Sequence, residues 1–197
     1  MADMLATTAD LAALLQRDVD TASATLALEV STAVIQAVAD GQRILQVVGD
    51  TAVIDLDPGF CGQFVTLAQR PATAVTSVTI GTTAVTDYVV QYSKRRLWRA
   101  DGWQSPTSSY WLWQPTTVTV VYTHGYAVGD QKLQLARGTA LSIARDLFTN
   151  PDGTVREQID DYQVAYAQAE MALEGMPGVK ALLRKQYGAK AGMARIY

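Results

Sequence analysis

The sequence predicts an α+β fold, in which a helical core is interrupted by a small antiparallel β subdomain and followed by an extended C-terminal tail. Residues 51–126 contain thirteen threonines and ten valines, a composition that favours strands over helices. On both sides of this block, apolar residues recur at steps of three and four, as on one face of a helix. We therefore divide the chain into N-terminal helices (1–49), a β insertion (50–126), C-terminal helices that pack with the N-terminal ones (127–187) and a tail (188–197).

Length and composition are those of a chain that forms one good core, or a core with an inserted subdomain. The chain has 197 residues, a formal net charge of −3 and a single cysteine, Cys61. An intrachain disulfide and a CxxC metal motif are thereby excluded. The N-terminal segment lacks the basic region of a secretory signal, and no uninterrupted apolar run approaches the roughly 18 residues that span a bilayer. We expect synthesis in a reducing, intracellular compartment and no membrane partner.

Helices are predicted before the β block. Thr7 or Thr8 is the expected N-cap of a short first helix. Asp18 or Asp20 then caps a longer helix that ends near Gly41, a residue suited to a left-handed C-terminal position. Many contact positions of this longer helix are alanine, serine or threonine. Such small side chains permit close packing against other helices, including those of a neighbouring subunit.

Short strands are predicted in the β block, near residues 51–56, 63–68, 74–80, 87–92, 95–99 and 117–124. Turn residues such as Asp57-Pro58-Gly59 separate them, and this pattern is typical of a small antiparallel sheet or a barrel-like subdomain. The last strand alternates valine and tyrosine with threonine, the period-2 pattern of a half-buried strand. Residues 103–116 fit neither period and are predicted to form a long loop.

After the β block the pattern becomes helical again. Asp130 is the expected cap of a third helix, which Asn150 and Pro151 end. Residues 155–167 alternate weakly, which indicates an extended segment. A last helix, broken around residues 175–178, reaches Tyr187. The tail that follows needs a partner to become ordered, because its few apolar residues do not offset an ordering entropy of roughly 1–2 kcal/mol per residue.

Charge is distributed unevenly along the chain. Residues 1–57 contain nine acids against Arg17 and Arg43, whereas residues 180–197 contain five cations and no acidic side chain. Ordinary solvated surface is one interpretation of this asymmetry. The other is that an acidic face and a basic tail bind different partners, or each other in neighbouring copies.

Residues suited to catalysis or metal binding are few. His124 is the only histidine, and with a single cysteine no His/Cys metal site can be assembled. We interpret His124 as a structural residue that bonds the backbone. It lies at the end of a strand, together with Tyr122, Gly125 and Tyr126. An enzyme using His124 with an acid would need a second placed group, and the sequence identifies none. There is also no GxGxxG motif and no P-loop. We therefore predict no enzyme activity, no metal and no cofactor.

All four tryptophans lie within sixteen residues, most of them in the predicted long loop. Three interpretations of this aromatic cluster stay open. It is a platform that stacks sugars or bases, an anchor in a protein interface, or a local core that holds the loop. The cluster consists of Trp98, Trp103, Tyr110, Trp111 and Trp113.

Strand motifs follow one another in a fixed order along the β block. Their residues are Phe64 to Leu67, then Pro71, Ala74 or Val75 and Val78, then Asp87-Tyr88, Leu97, Val118, Val120, Tyr122, His124, Gly125 and Tyr126. This ordered set resembles the head-to-tail connector (adaptor) proteins of long-tailed double-stranded DNA phages, especially the type with an inserted β subdomain found in actinobacterial phages. The resemblance covers roughly residues 8–187, and no single motif in it is diagnostic. The segment IDDYQVAY is similar to a family segment but has Asp160 where glycine is usual.

The resemblance implies a non-enzymatic structural protein of the virion neck, assembled in the host cytoplasm. Such proteins form a homo-oligomeric ring, usually of twelve subunits, beneath the portal protein. Double-stranded DNA passes through the lumen without sequence-specific binding, and a stopper or tail-completion protein binds the far side. C-terminal segments of the family reach the portal, which implies a portal-binding role for Lys190, Met193, Arg195, Ile196 and Tyr197.

A second hypothesis comes from the tryptophans and needs no ring. The chain would then be a carbohydrate-binding or accessory module of a virion, with the tryptophan-rich loop gripping a glycan.

Overall fold

The computed structural model of the chain describes residues 4–57, 62–103, 116–149 and 169–188. Two compact units divide the chain: a helical unit of residues 1–45 and 128–197, and a β unit of residues 46–127. The predicted insertion at 50–126 lies inside the β unit. The prediction of an α+β fold, with helices and small antiparallel sheets, is confirmed.

Local capping chemistry starts both N-terminal helices, α1 (Thr8–Leu15) and α2 (Thr21–Val38). Before α1, the Thr7 hydroxyl accepts from the Asp10 N–H at 3.2 Å, and the Asp10 carboxylate accepts from the Thr7 N–H at 2.9 Å. This reciprocal pair satisfies two backbone donors that a helix start leaves free. Before α2, the Asp20 carboxylate accepts from the Ser23 N–H at 2.9 Å. Of the alternatives predicted for these positions, Thr7 and Asp20 are therefore the caps.

The end of α2 differs from the prediction by one residue. The left-handed residue directly after the C-cap is Asp40, with φ 59°, and Gly41 follows it with φ 71°. The Asp40 N–H donates to the Ala37 carbonyl at 3.1 Å, and the Gly41 N–H donates to the Gln36 carbonyl at 2.9 Å. These two bonds form a Schellman motif, which satisfies the last helical carbonyls. Aspartate is one of the few non-glycine residues that adopt this conformation readily.

Three more helices lie in the described residues of the C-terminal half of the helical unit. Asp130 caps a short 3₁₀ turn (Gln131–Leu133), accepting from the Lys132 N–H at 2.9 Å, and the turn leads into α3 (Gln134–Thr149). Residues 169–174 are helical (α4), and after the predicted break α5 (Pro177–Tyr187) begins with proline in its first turn. The predicted extended segment 155–167 and the predicted helix end at Asn150 lie outside the described residues.

The helical core is built from small and apolar side chains of α1, α2 and α3. An ion pair of 2.6 Å between Asp10 and Arg137 joins α1 to α3. Burial alone would raise the pKa of Asp10, but hydrogen bonds from Thr7 and Arg137 outweigh it and lower that pKa below its ordinary value. Because the folded pKa is lowered, this carboxylate stabilises the fold above its ordinary pKa, and the contribution is lost as the pH falls.

Among the described helices, α2 has the length and composition of a membrane span, although Glu29 and several hydroxyl residues interrupt its apolar residues. A buried helix of a protein core passes the same test. α2 packs against α1 and α3, and Leu28, Val30 and Ile35 are fully buried in the protein. Packing within the helical unit therefore accounts for its apolar residues.

The described residues of the β unit form two antiparallel sheets, where the sequence predicted one sheet or a barrel-like subdomain. The four-stranded sheet has the order β1-β7-β3-β4, and the three-stranded sheet has the order β2-β6-β5. The strands are β1 (Val47–Leu56), β2 (Phe64–Thr66), β3 (Ala72–Ile80), β4 (Thr83–Ala84), β5 (Val89–Gln91), β6 (Arg96–Trp98) and β7 (Thr116–His124). The two-residue β4 was not predicted. Of the strand expected at 87–92, β5 covers Val89–Gln91, and Tyr92 begins a 3₁₀ turn (Tyr92–Lys94).

Residues of both sheets form one hydrophobic core. In the central strand β7, the alternating Val118, Val120 and Tyr122 are buried, as the period-2 pattern predicts. Val65 and Leu97 contribute from the three-stranded sheet. At the boundary of the unit, the Gln46 N–H donates to the Tyr126 carbonyl at 2.9 Å. The chain therefore enters and leaves the β unit at adjacent positions.

Candidate interaction surfaces

The strand end formed by Tyr122, His124, Gly125 and Tyr126 is organised by a bulge in the neighbouring strand. Val47 lies opposite His124 and Asp50 lies opposite Tyr122, so β1 carries one extra residue between these pairs. Gly49, at φ 70°, supplies the left-handed conformation that such a bulge needs. The bulge places the Asp50 carboxylate 2.8 Å from His124 Nε2. The predicted backbone partner of His124 is therefore wrong, since the ring bonds a carboxylate.

The His124–Asp50 pair has the composition of a catalytic dyad, although the sequence identified no acid for this histidine. Its surroundings do not suit catalysis. The histidine is fully buried, with its ring 5.2 Å from that of Tyr122, so a substrate has no access to it. Within the described ranges, its Nδ1 atom has no hydrogen-bond partner. We conclude that the pair is structural and that Asp50 satisfies one nitrogen of a buried ring.

Replacing Asp50 with alanine is expected to lower the stability of the β unit by about 1–3 kcal/mol, because His124 Nε2 would be left buried and unpaired. Urea unfolding followed by tryptophan fluorescence measures this unit selectively, since all four tryptophans lie in residues 46–127. Asp55→Ala is the matched control on the same strand, because Asp55 is exposed and bonds only the Thr117 hydroxyl in the described contacts. Equal unfolding midpoints for the two variants would contradict the structural role of Asp50.

The two described tryptophans of the aromatic cluster, Trp98 and Trp103, differ in burial. Trp103 is fully buried in the core of the β unit, and its Nε1–H donates to the Gln63 carbonyl at 2.9 Å. Trp98 is half-buried, and its Nε1–H donates to the Gln63 side chain at 3.2 Å. Trp103 thus serves as a local core residue. Tyr110, Trp111 and Trp113 lie outside the described residues.

Trp98 belongs to an apolar row that crosses the outer face of the three-stranded sheet. Phe64 and Val89 are its direct partners on the two flanking strands. Because side chains alternate along a strand, these three share one face, while Val65, Val90 and Leu97 share the other. Phe64 is 43% exposed and Val89 is 53% exposed. We call this set, together with Arg96, the outer aromatic face.

Arg96 lies on the same face, two residues before Trp98, and its guanidinium carbon is 5.7 Å from the centre of the Phe64 ring. This geometry is a cation–π contact. Sequence reasoning missed both Phe64 and Arg96. The available signal was the alternation of residues 63–68, which places Phe64 and Thr66 on the face opposite Val65 and Leu67.

The predicted portal-binding residues Lys190, Met193, Arg195, Ile196 and Tyr197 lie outside the described residues, but their attachment point is described. Tyr187 and Gly188 at the end of α5 are buried, and the Tyr187 hydroxyl donates to the Lys132 carbonyl. A Cβ atom on Gly188 would lie 2.6 Å from the Arg184 carbonyl oxygen, so this position accepts only glycine without a shift. The described part of the helical unit therefore ends at a closely packed glycine.

In the part of the chain that the structure describes, no group of three or more His, Cys, Asp or Glu side chains could hold a metal ion.

Comparison with known proteins supports a fold relationship. No protein-family model matches the chain, and no curated protein matches it. Among solved structures, it is similar to a chain from the neck of an empty GTA (gene transfer agent) particle computed with C6 symmetry. The TM-score is 0.55 over 84% of this chain and 88% of that chain, with 13% sequence identity. At this identity the similarity shows a shared fold.

Proposed function

We propose that the protein is a structural subunit of the neck of a phage or phage-like particle, of the connector (adaptor) type. The fold shared with a neck chain is the observation that carries this proposal, because it extends over most of both chains. The ordered strand motifs ending in Val118, Val120, Tyr122, His124 and Gly125 point to the same class independently. Assignment to the actinobacterial-phage type rests on those motifs alone.

In this proposal, twelve copies form a ring between the portal protein and a stopper or tail-completion protein. The related particle neck was computed with sixfold symmetry, and a twelve-subunit ring contains a sixfold axis. Closed rings arise from head-to-tail contacts between unlike surfaces of identical subunits. DNA passes through the lumen without sequence-specific binding, and the assembly has its place in the virion neck after synthesis in the host cytoplasm.

The alternative, a carbohydrate-binding or accessory module, has less support. Glycan stacking needs open aromatic faces, yet Trp103 is buried and Arg96 lies over the ring of Phe64.

Negative-stain electron microscopy of the purified chain, alone and mixed with the portal protein of its own particle, tests the proposal. We expect rings with a central channel, either from the chain alone or on addition of portal. Mixing with a portal protein from an unrelated phage is the control and should give no joint particle. A chain that stays monomeric in both mixtures contradicts the connector role.

A further inference from the structure

We propose that the outer aromatic face docks against the acidic N-terminal helices of a second copy of this chain. This inference rests on the proposed ring and names the surfaces that would build it. The contact joins two unlike surfaces, so each copy has one of each free for the next neighbour. Contacts of this head-to-tail kind build a ring when the rotation between neighbours closes.

The apolar part of the outer aromatic face is continuous. Phe64, Trp98 and Val89 are directly opposite one another on three adjacent strands, and such partners have Cβ atoms about 4.5–5.5 Å apart. Exposed apolar residues that occur singly need no explanation, but an apolar row with two aromatic rings across a whole sheet is typical of an interaction surface.

The outer aromatic face carries the positive charge of Arg96, and Lys94 precedes Arg96 by two residues. The surrounding segment is also basic, since residues 62–103 contain five cations (Arg70, Lys94, Arg95, Arg96 and Arg99) against Asp87 and Asp101. Arg99 pairs with Asp87 at 3.0 Å. In the described chain, no ion pair holds Lys94 or Arg96, and both are exposed. The outer aromatic face therefore suits a partner that combines apolar side chains with carboxylates.

The helical unit of a second copy has this chemistry. Residues 4–45 contain five acids (Asp10, Asp18, Asp20, Glu29 and Asp40) against two arginines. Leu26, 37% exposed, lies one helical turn before Glu29 on α2, and Asp18 and Asp20 are exposed at the start of that helix. Charge and apolar contact thus match between the two surfaces.

A nucleic acid fits the outer aromatic face less well than a protein does. Base stacking requires an open ring face, and the Arg96 guanidinium lies over Phe64. The overall charge of −3 also disfavours a polyanion as partner.

Sedimentation velocity of the full chain, under conditions where the wild type assembles, tests the inference. The double variant Phe64→Ser with Val89→Ser should associate at least roughly tenfold more weakly, because it removes two exposed anchors of the row. Val53→Ser is the matched control, since Val53 is an exposed valine of the other sheet. Circular dichroism should show that all three proteins are folded.

Charge exchange tests the identity of the partner surface. Arg96→Glu and Glu29→Lys should each weaken association, and the two substitutions in one chain should restore part of it. Lys185→Glu, a reversal on the exposed side of α5, should have little effect. If wild-type rings form and every variant assembles normally, this inference is wrong and the connector role stands. If Arg96→Glu impairs only portal binding, the face serves the portal and the inference is also wrong. A wild type that never assembles, even with portal, overturns the connector role itself.

Discussion

Replacing Trp103 with alanine should destabilise the β unit by about 3–5 kcal/mol, the usual cost of removing a buried tryptophan. The side chain is fully buried between strands, and its Nε1–H bonds the Gln63 carbonyl at 2.9 Å. The substitution leaves a large cavity. It also removes one of the two hydrogen bonds that the Gln63 carbonyl accepts, the other coming from the Arg99 N–H at 3.0 Å. Urea unfolding followed by the fluorescence of the remaining tryptophans measures the loss. Far-ultraviolet circular dichroism, dominated by helices, shows separately whether the helical unit is affected.

Trp98→Ala is the matched control for this substitution. Trp98 has the same side chain and also bonds Gln63, but it lies half-buried on the outer face of the sheet. We expect roughly half the loss or less, because part of this ring stays in water in the folded state. Similar losses for the two variants would show that Trp103 does not have the core role assigned to it.

Deleting residues 189–197 should leave the protein folded and weaken or abolish its attachment to DNA-filled heads. The cut follows Gly188, so the packed end of α5 and the contact of the Tyr187 hydroxyl with Lys132 are retained. If the tail docks on the portal, its apolar residues supply the anchors and its cations attract an acidic surface. In vitro joining of purified heads and tails, with added wild-type or truncated protein, measures the effect.

Substitutions in the full-length tail distinguish the contribution of its apolar anchors to joining from the contribution of its charges. Met193, Ile196 and Tyr197 changed together to serine should reduce joining more than Lys190 and Arg195 changed to alanine, since buried anchors dominate interface energies. Unchanged thermal unfolding of all variants is the folding control. Full joining by the truncated protein would show that the tail has no docking role.

Elements set by local chemistry were predictable from the sequence. Thr7, Asp20 and Asp130 cap helices through bonds to residues two or three positions away. The alternation that buries Val118 and Val120 is likewise contained in one strand. In contrast, Gly41 was the expected left-handed residue after α2, but Asp40 before it is left-handed as well, a conformation that aspartate adopts readily. The conformational preferences of aspartate and glycine therefore did not show which of the two residues directly follows the C-cap.

Features that depend on pairing between distant strands were not predictable. Asp50 reaches His124 across 74 residues, and only the bulge at Gly49 brings it there. Trp98 and Trp103 are close in sequence and chemically identical, yet one lies on an outer face and the other in the core. The alternation along a strand shows which residues share a face. Which of the two faces is buried depends on the neighbouring strands in the sheet, and the composition of one strand does not identify those neighbours.

The hydrogen bond between Gln46 and Tyr126 has an evolutionary consequence. It holds the two crossing points of the chain together at 2.9 Å, whatever length of sequence lies between them. Insertions are tolerated where their two ends meet at one place on the host structure. The β unit is therefore a replaceable cassette: a lineage could shorten, enlarge or exchange it while the helical host keeps its own packing. Diversity among relatives should accordingly concentrate in the cassette, and the host helices should change more slowly.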